Sequence, residues 1–267
     1  SSGGAINMAG GTTMFLAPTP QVALGQPNNN TPISQLTTNP GWTIDNDINI
    51  TSGTADFRFT GNGSHWEFTG DVTGGTSGNQ TLNILQGTPA GGSGDIQAIL
   101  YSGVIQDGSG GTLGVSADFT ASSSPTGQSA FINLSGSNTF TGDLNVNNPR
   151  GLTNGGWLTI GGNRTATGTL TTGSGYLGGG NYAGNISLGN LTILDYASSA
   201  NQTLAGVISG AGVIQKDGAG TLTLTNGSNS FAGAIVNSGT LQLSPNYVGA
   251  VALNGGTLAG NLSGPPT

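Results

Sequence analysis

Four short landmarks occur twice in this chain and in the same order, which restricts it to a repeat architecture. Gly41-Trp42-Thr43-Ile44 is echoed by Gly156-Trp157-Leu158-Thr159-Ile160, and Asn79-Gln80-Thr81-Leu82 by Asn201-Gln202-Thr203-Leu204. Gly103-Val104-Ile105-Gln106-Asp107-Gly108 is answered by Gly212-Val213-Ile214-Gln215-Lys216-Asp217-Gly218. Gly136-Ser137-Asn138-Thr139-Phe140-Thr141-Gly142 is answered by Gly227-Ser228-Asn229-Ser230-Phe231-Ala232-Gly233. The offsets of 115, 122, 109 and 91 residues predict one module present twice with unequal loops, the first copy carrying an insertion near 116–130. A partial echo closes the chain, Gly239-Thr240-Leu241 against Gly256-Thr257-Leu258. The expected organisation is an extended N-terminal arm over 1–40, modules over 41–148 and 149–243, and a terminal partial repeat over 244–267.

Within the modules, apolar residues alternate with Thr or Gln, as in Thr221-Leu222-Thr223-Leu224, Thr240-Leu241-Gln242-Leu243 and Leu191-Thr192-Ile193-Leu194. A period of two marks strands with one buried face. Turn signals interrupt them: Asp217-Gly218, Asn226-Gly227, Ser238-Gly239 and Asn254-Gly255.

The architecture then turns on charge. Charged residues are 6% of the chain, against about 25% in an ordinary domain. One Lys, three Arg and one Glu cannot furnish long helices or the basic face that nucleic acid requires. No apolar run reaches the roughly 20 residues of a membrane-spanning helix, and with no Cys there are no disulfides. Glycine numbers 51 but keeps no three-residue period, so collagen is excluded. In a parallel solenoid each coil lies ~4.8 Å above the last and like residues stack on like. A Lys or Glu column would repel itself there, whereas Thr and Asn columns stack without penalty. A sandwich has no such reason to avoid charge. The sequence therefore predicts an all-β parallel β-solenoid, at about 20 residues per turn and roughly 12 turns.

Residues 201–243, with Lys216-Asp217-Gly218-Ala219-Gly220-Thr221-Leu222-Thr223-Leu224, Gly227-Ser228-Asn229-Ser230-Phe231-Ala232-Gly233 and Gly239-Thr240-Leu241-Gln242-Leu243, resemble the autotransporter-associated β-strand repeat. Residues 102–146 are similar to a degraded copy that lacks the Lys. The resemblance implies a right-handed parallel β-helix in a secreted or bacterial surface protein of passenger or adhesin type. It implies no activity. The chain reads as a mature product or a trimmed one, with any export signal gone. No translocator barrel follows the repeats, so either it has been removed or another exported protein reuses them.

The chemistry on offer is sparse. Asp45 and Asp47 lie two apart and would share a strand face, as the paired carboxylates of a glycosidase require, but Asp45-Asn46-Asp47 also suits a turn. Asp45, Asp47 and Asp95 are the weak calcium suspects; otherwise neither a metal nor a cofactor is expected. His65, the single His, lies beside Trp66 and Glu67 and reads as a polar strand residue. Lys216 reads as a solvated turn residue, with a Lys–Asn crosslink as the sharper alternative. Trp42, Trp66, Trp157, Tyr176 and Tyr182 would make either a sugar-stacking platform or core filling, and the Trp42/Trp157 echo favours the core. Phe140 and Phe231 read as core plugs.

A solenoid leaves unpaired backbone at both ends, a template for further strands, and no helical or charged cap is legible here. Ile6, Met8, Met14, Phe15, Leu16, Val22 and Leu24 make the N-terminal stretch apolar, and Pro18, Pro20, Pro27 and Pro32 suit an extended arm. The expected function is a non-enzymatic secreted protein that joins copies of itself head to tail into a filament or surface layer, with neither nucleic acid nor membrane insertion. A monomeric adhesin that binds glycans or a cell surface is the alternative, and a polysaccharide-degrading β-helix the third reading.

Overall fold

The computed structural model describes residues 4–16, 42–59, 65–86, 98–119, 130–149, 156–165, 168–244 and 246–260. They form a parallel β-solenoid with three faces. The first face stacks Ile6–Met8, Ile48–Ile50, Val72–Thr73 and Ile105–Gln106. It resumes as Asn181–Tyr182, Gln202–Leu204, Thr221–Leu224, Thr240–Gln242 and Thr257–Ala259. The second and third faces make one 15-stranded sheet. They are joined because Ile208–Lys216 and Ser230–Val236 each run round the corner between them. The register there shifts between Gly210 and Val213. Gly210 turns the corner at φ +113°, and a Cβ on it would lie 2.1 Å from the Leu188 carbonyl oxygen.

The third face carries nine strands, from Trp42–Ile44 to Ala250–Leu253. Nine turns are thus described where the sequence led us to expect about twelve. Side-chain ladders span 42 residues from Asn49 to Asn7 but 17 from Asn254 to Asn237. Early turns are long and late ones are nearly bare.

The alternation expected from the sequence fills the core. Ala55, Leu82, Val115, Leu144, Ile186 and Ile208 form one inward column of the second face, all 0–1% exposed. Outward positions pair by uncharged or mixed hydrogen bonds, such as Asn49 to Asn7 at 2.9 Å, Asn83 to Asp56 at 3.0 Å and Gln106 to Thr73 at 3.0 Å. Glycine sets the closeness of the turns at one corner. A Cβ on Gly70, Gly103 or Gly136 would lie 2.2 Å from a backbone oxygen of the turn before, respectively Asn46, Gly70 and Gly103.

Two expectations need correction. Residues 6–16 are not an arm: Ile6–Met8 pairs in parallel with Ile48–Ile50 and Thr12–Leu16 with Thr54–Phe59, as the first turn of the coil. Met8 is buried, and Ile6 and Met14 pack against the core. Phe15 and Leu16 lie in the same strand, while Val22 and Leu24 fall outside the described residues. Nor do the echoes at 103–108 and 212–218 occupy equivalent places. Ile105 stacks on Val72 in the first face, whereas Ile214 stacks on Leu194 in the third. The ladders run past 148 and 243 without a break, so the structural repeat is the single turn.

Candidate functional site

The third face differs from the others because the middle of its outer side is also buried. Asn133, Thr159 and Asp195 follow one another in register on successive strands, each 0% exposed, and Gln215 continues the column. The cover over its middle is a hairpin, Gly162–Arg164 paired with Leu170–Thr172, the one antiparallel pair among the described residues. Gly161 lets the chain leave the coil: it has φ +72°, and a Cβ would lie 2.4 Å from the Gly175 oxygen. Gly168, at φ +80°, donates its N–H to the Thr165 carbonyl near the hairpin tip.

Arg164 ties the hairpin down. Its N–H donates to Asn133 Oδ1 at 2.7 Å, and Asn133 Nδ2 donates back to the Arg164 carbonyl at 3.1 Å. Its Nη2 forks between Asp195 Oδ2 at 2.8 Å and Asp217 Oδ2 at 2.7 Å. Its Nη1 donates to the Gly168 carbonyl at 3.1 Å. The guanidinium lies 4.3 Å above the Trp157 ring, a cation–π contact strengthened by partial burial. Asp217 also accepts from Gln215 Nε2 at 2.6 Å and from Asn237 Nδ2. Burial and the neighbouring Asp217 push the Asp195 carboxyl up to about 7, against the pull of Arg164.

Lys216 occupies the other side of the same sheet. It is 0% exposed, stacked in register between Tyr196 and Val236, with its ammonium 5.4 Å from the Tyr196 ring centre. Its Nζ donates to the Gly218 carbonyl and so closes the Asp217–Gly218 turn from inside. Burial lowers its pKa to about 8, although Asp195 and Asp217 favour the charged form. Lys216 is therefore not the solvated turn residue expected. The period of two held the signal, since Lys216 shares a face with Ile214.

Asp195 Oδ2 and Asp217 Oδ2 both accept from Arg164 Nη2, so these two oxygens lie no more than about 5.5 Å apart, which invites comparison with the paired carboxyls of a glycosidase. Arg164 fills the space between them, where a glycosidic oxygen would have to sit. The arrangement acts as a clamp rather than as an acid–base pair. Sequence reasoning missed it because nothing local marks Arg164 as the partner of residues 31 and 53 positions away.

The other sequence candidates are scattered. Asp45 is exposed, and Asp47 accepts the Asp71 N–H at 2.9 Å, as Asp71 accepts that of Val104 at 2.9 Å. Asp47 thus caps the next turn, and Asp95 lies outside the described residues. His65 opens the strand His65–Phe68. Trp66 and Tyr182 are buried, so the aromatic platform does not assemble. Trp157 is not the counterpart of Trp42: the backbone of Trp42 is in register with that of Trp66, whereas Trp157 is in register with Phe131, in the adjacent outward column, and is half-buried. Phe140 and Phe231 do plug the core, against Tyr182 at 5.5 Å and Tyr247 at 4.5 Å.

The turns that bear these plugs are also those that known repeats match. The passenger-associated-transport-repeat model matches residues 133–148 and 214–243. These two segments are similar to passenger-type transport repeats. The first match runs from Asn133 through Asn138 and Phe140, and the second from Ile214 through Lys216, Asn229 and Phe231. Lys216, Asn138, Asn229 and both phenylalanines thus serve the coil itself. No curated protein and no solved structure matches the chain.

Proposed function

We propose that this chain is a non-enzymatic, extracellular passenger segment, a rigid β-solenoid rod at or beyond a bacterial cell surface, whose ends associate with further copies. The observation that carries the reading is the passenger-type repeat lying directly on the stacked turns. Self-association draws support from the last turns. Ala250–Leu253 and Thr257–Ala259 are terminal strands of their sheets among the described residues, and Leu253 and Val248 are 48% and 87% exposed nearby. Such edges take a further strand unless they are blocked. Because residues 6–16 are already paired, the acceptor in a second copy is the outer edge of the first turn rather than a donated arm.

Electron microscopy of the purified protein tests this. Filaments or sheets are expected, and Leu253→Lys with Val248→Lys should abolish them while leaving the β-sheet circular dichroism intact. Dispersed single rods from the unmodified protein would refute self-association. They would leave the adhesin reading, which the same repeat supports equally, and binding to a glycan or cell surface would then establish it.

A further inference from the structure

The hairpin strands Gly162–Arg164 and Leu170–Thr172 lie over a cluster of buried charges. On the outer side of the third face, Arg164 supplies one positive charge to two carboxylates, Asp195 and Asp217. Lys216 adds a positive charge from the inner side of the sheet, but its ammonium is directed to the Gly218 carbonyl. The uncharged neighbours of Asp195 are Thr159 and Gln215 on the adjoining strands and Tyr196 beside it. Among the described residues, four buried atoms of the hairpin and the face beneath it lack a hydrogen-bond partner: Asn163 Oδ1, Arg164 Nε, Thr159 Oγ1 and Asp195 Oδ1. A buried carboxylate oxygen without a donor is costly. Two events relieve it. A proton on Asp195 removes the desolvated negative charge and makes the carboxyl a donor beside Thr159. Lifting the hairpin admits water instead.

We propose that the hairpin is a proton-closed strap: protonation of Asp195 holds it on the third face, and ionisation loosens it and uncovers the Trp157 and Phe131 side of that face. The geometry concentrates the hold in one residue, since Arg164 makes the Asn133, Asp195, Asp217 and Trp157 contacts together. The direction of the Asp195 shift agrees. Its closed-state value of about 7 lies above its ordinary 3.8, so protons favour the closed form, and that advantage is lost as pH rises through about 7. The strap therefore responds within the range that an extracellular protein meets.

Hydrogen exchange of residues 162–172, compared at pH 5.5 and 8.5 after correction for intrinsic chemistry, tests the strap. The Arg164 N–H, bonded to Asn133, reports it directly. Opening should increase about tenfold or more at pH 8.5, well beyond any change in the ladders of Leu222 and Leu241 in the same experiment. Asp195→Asn should stay protected at both pH values. Asp217→Asn, which removes the charge that adds to burial in raising Asp195, should move the midpoint to lower pH. Equal protection of the unmodified strap at both pH values, a pH response that survives Asp195→Asn, or a midpoint unmoved by Asp217→Asn would each overturn the proposal.

Discussion

Asn138 and Asn229, 91 positions apart, make the same hydrogen bond. Each is buried and accepts, through its side-chain oxygen, the backbone N–H of an isoleucine one turn earlier, Ile105 at 2.9 Å and Ile208 at 2.8 Å. Each stands two residues before a core phenylalanine. The motif therefore splices an irregular corner into the coil without orphaning a buried donor. Asn138 also donates to the Gly136 carbonyl at 2.9 Å, whereas Asn229 Nδ2 has no partner. Replacing either by Ala strands an N–H and should cost about 1–3 kcal/mol. Asn138→Ala should be the more damaging, read as the larger drop in urea midpoint.

The phenylalanines beside them predict a larger loss. Phe140 is 0% exposed and Phe231 3%, and the parallel ladders above and below restrict collapse around a void. Phe140→Ala and Phe231→Ala should each cost about 3–5 kcal/mol, whereas Phe→Leu at either site should cost less. Thermal melts of the four variants would check the order.

Stability should pass through a trough between about pH 7 and 8. Asp195 holds, when folded, a proton that the unfolded chain has lost between 3.8 and about 7. Its contribution is complete below 3.8 and vanishes as pH rises through about 7. Lys216 behaves in the opposite sense. Folded, it gives up at about 8 a proton that the unfolded chain keeps to 10.5, so its penalty is full below about 8 and fades as pH rises beyond that. Urea midpoints at pH 5, 7.5 and 9 should be lowest at 7.5. Asp195→Asn should flatten the acid limb and Lys216→Met the alkaline one. A maximum at pH 7.5 would contradict both assignments.

Gly103 offers a test of turn spacing. A Cβ there would stand 2.2 Å from the Gly70 oxygen, a backbone atom that cannot yield without separating two turns. Gly103→Ala should destabilise the fold strongly. Gly11→Ala, at φ +76° with nothing within 4 Å of the added carbon, should cost only about 1 kcal/mol from the backbone. A smaller loss at Gly103 than at Gly11, by chemical denaturation, would exclude contact-limited stacking.

Strand identity was legible in the sequence because it rests on neighbours. The Thr221-Leu222-Thr223-Leu224 alternation places Leu222 and Leu224 inward whatever lies elsewhere. The scarcity of charge likewise pointed to stacked turns, since repulsion at ~4.8 Å is independent of topology. The repeat resemblance located the turns that known repeats match. The structure alone assigned partners between turns. Ladder spans of 42 to 17 residues mean that no fixed period carries register. Thus Trp157 shifted one column from Trp42, Ile105 and Ile214 fell on different faces, and the apparent arm became the first turn. The Arg164–Asp195–Asp217 clamp is the extreme case. Which outer face a hairpin covers depends on how three separate turns stack, and charge pairing over 31 and 53 residues exists only after they have done so.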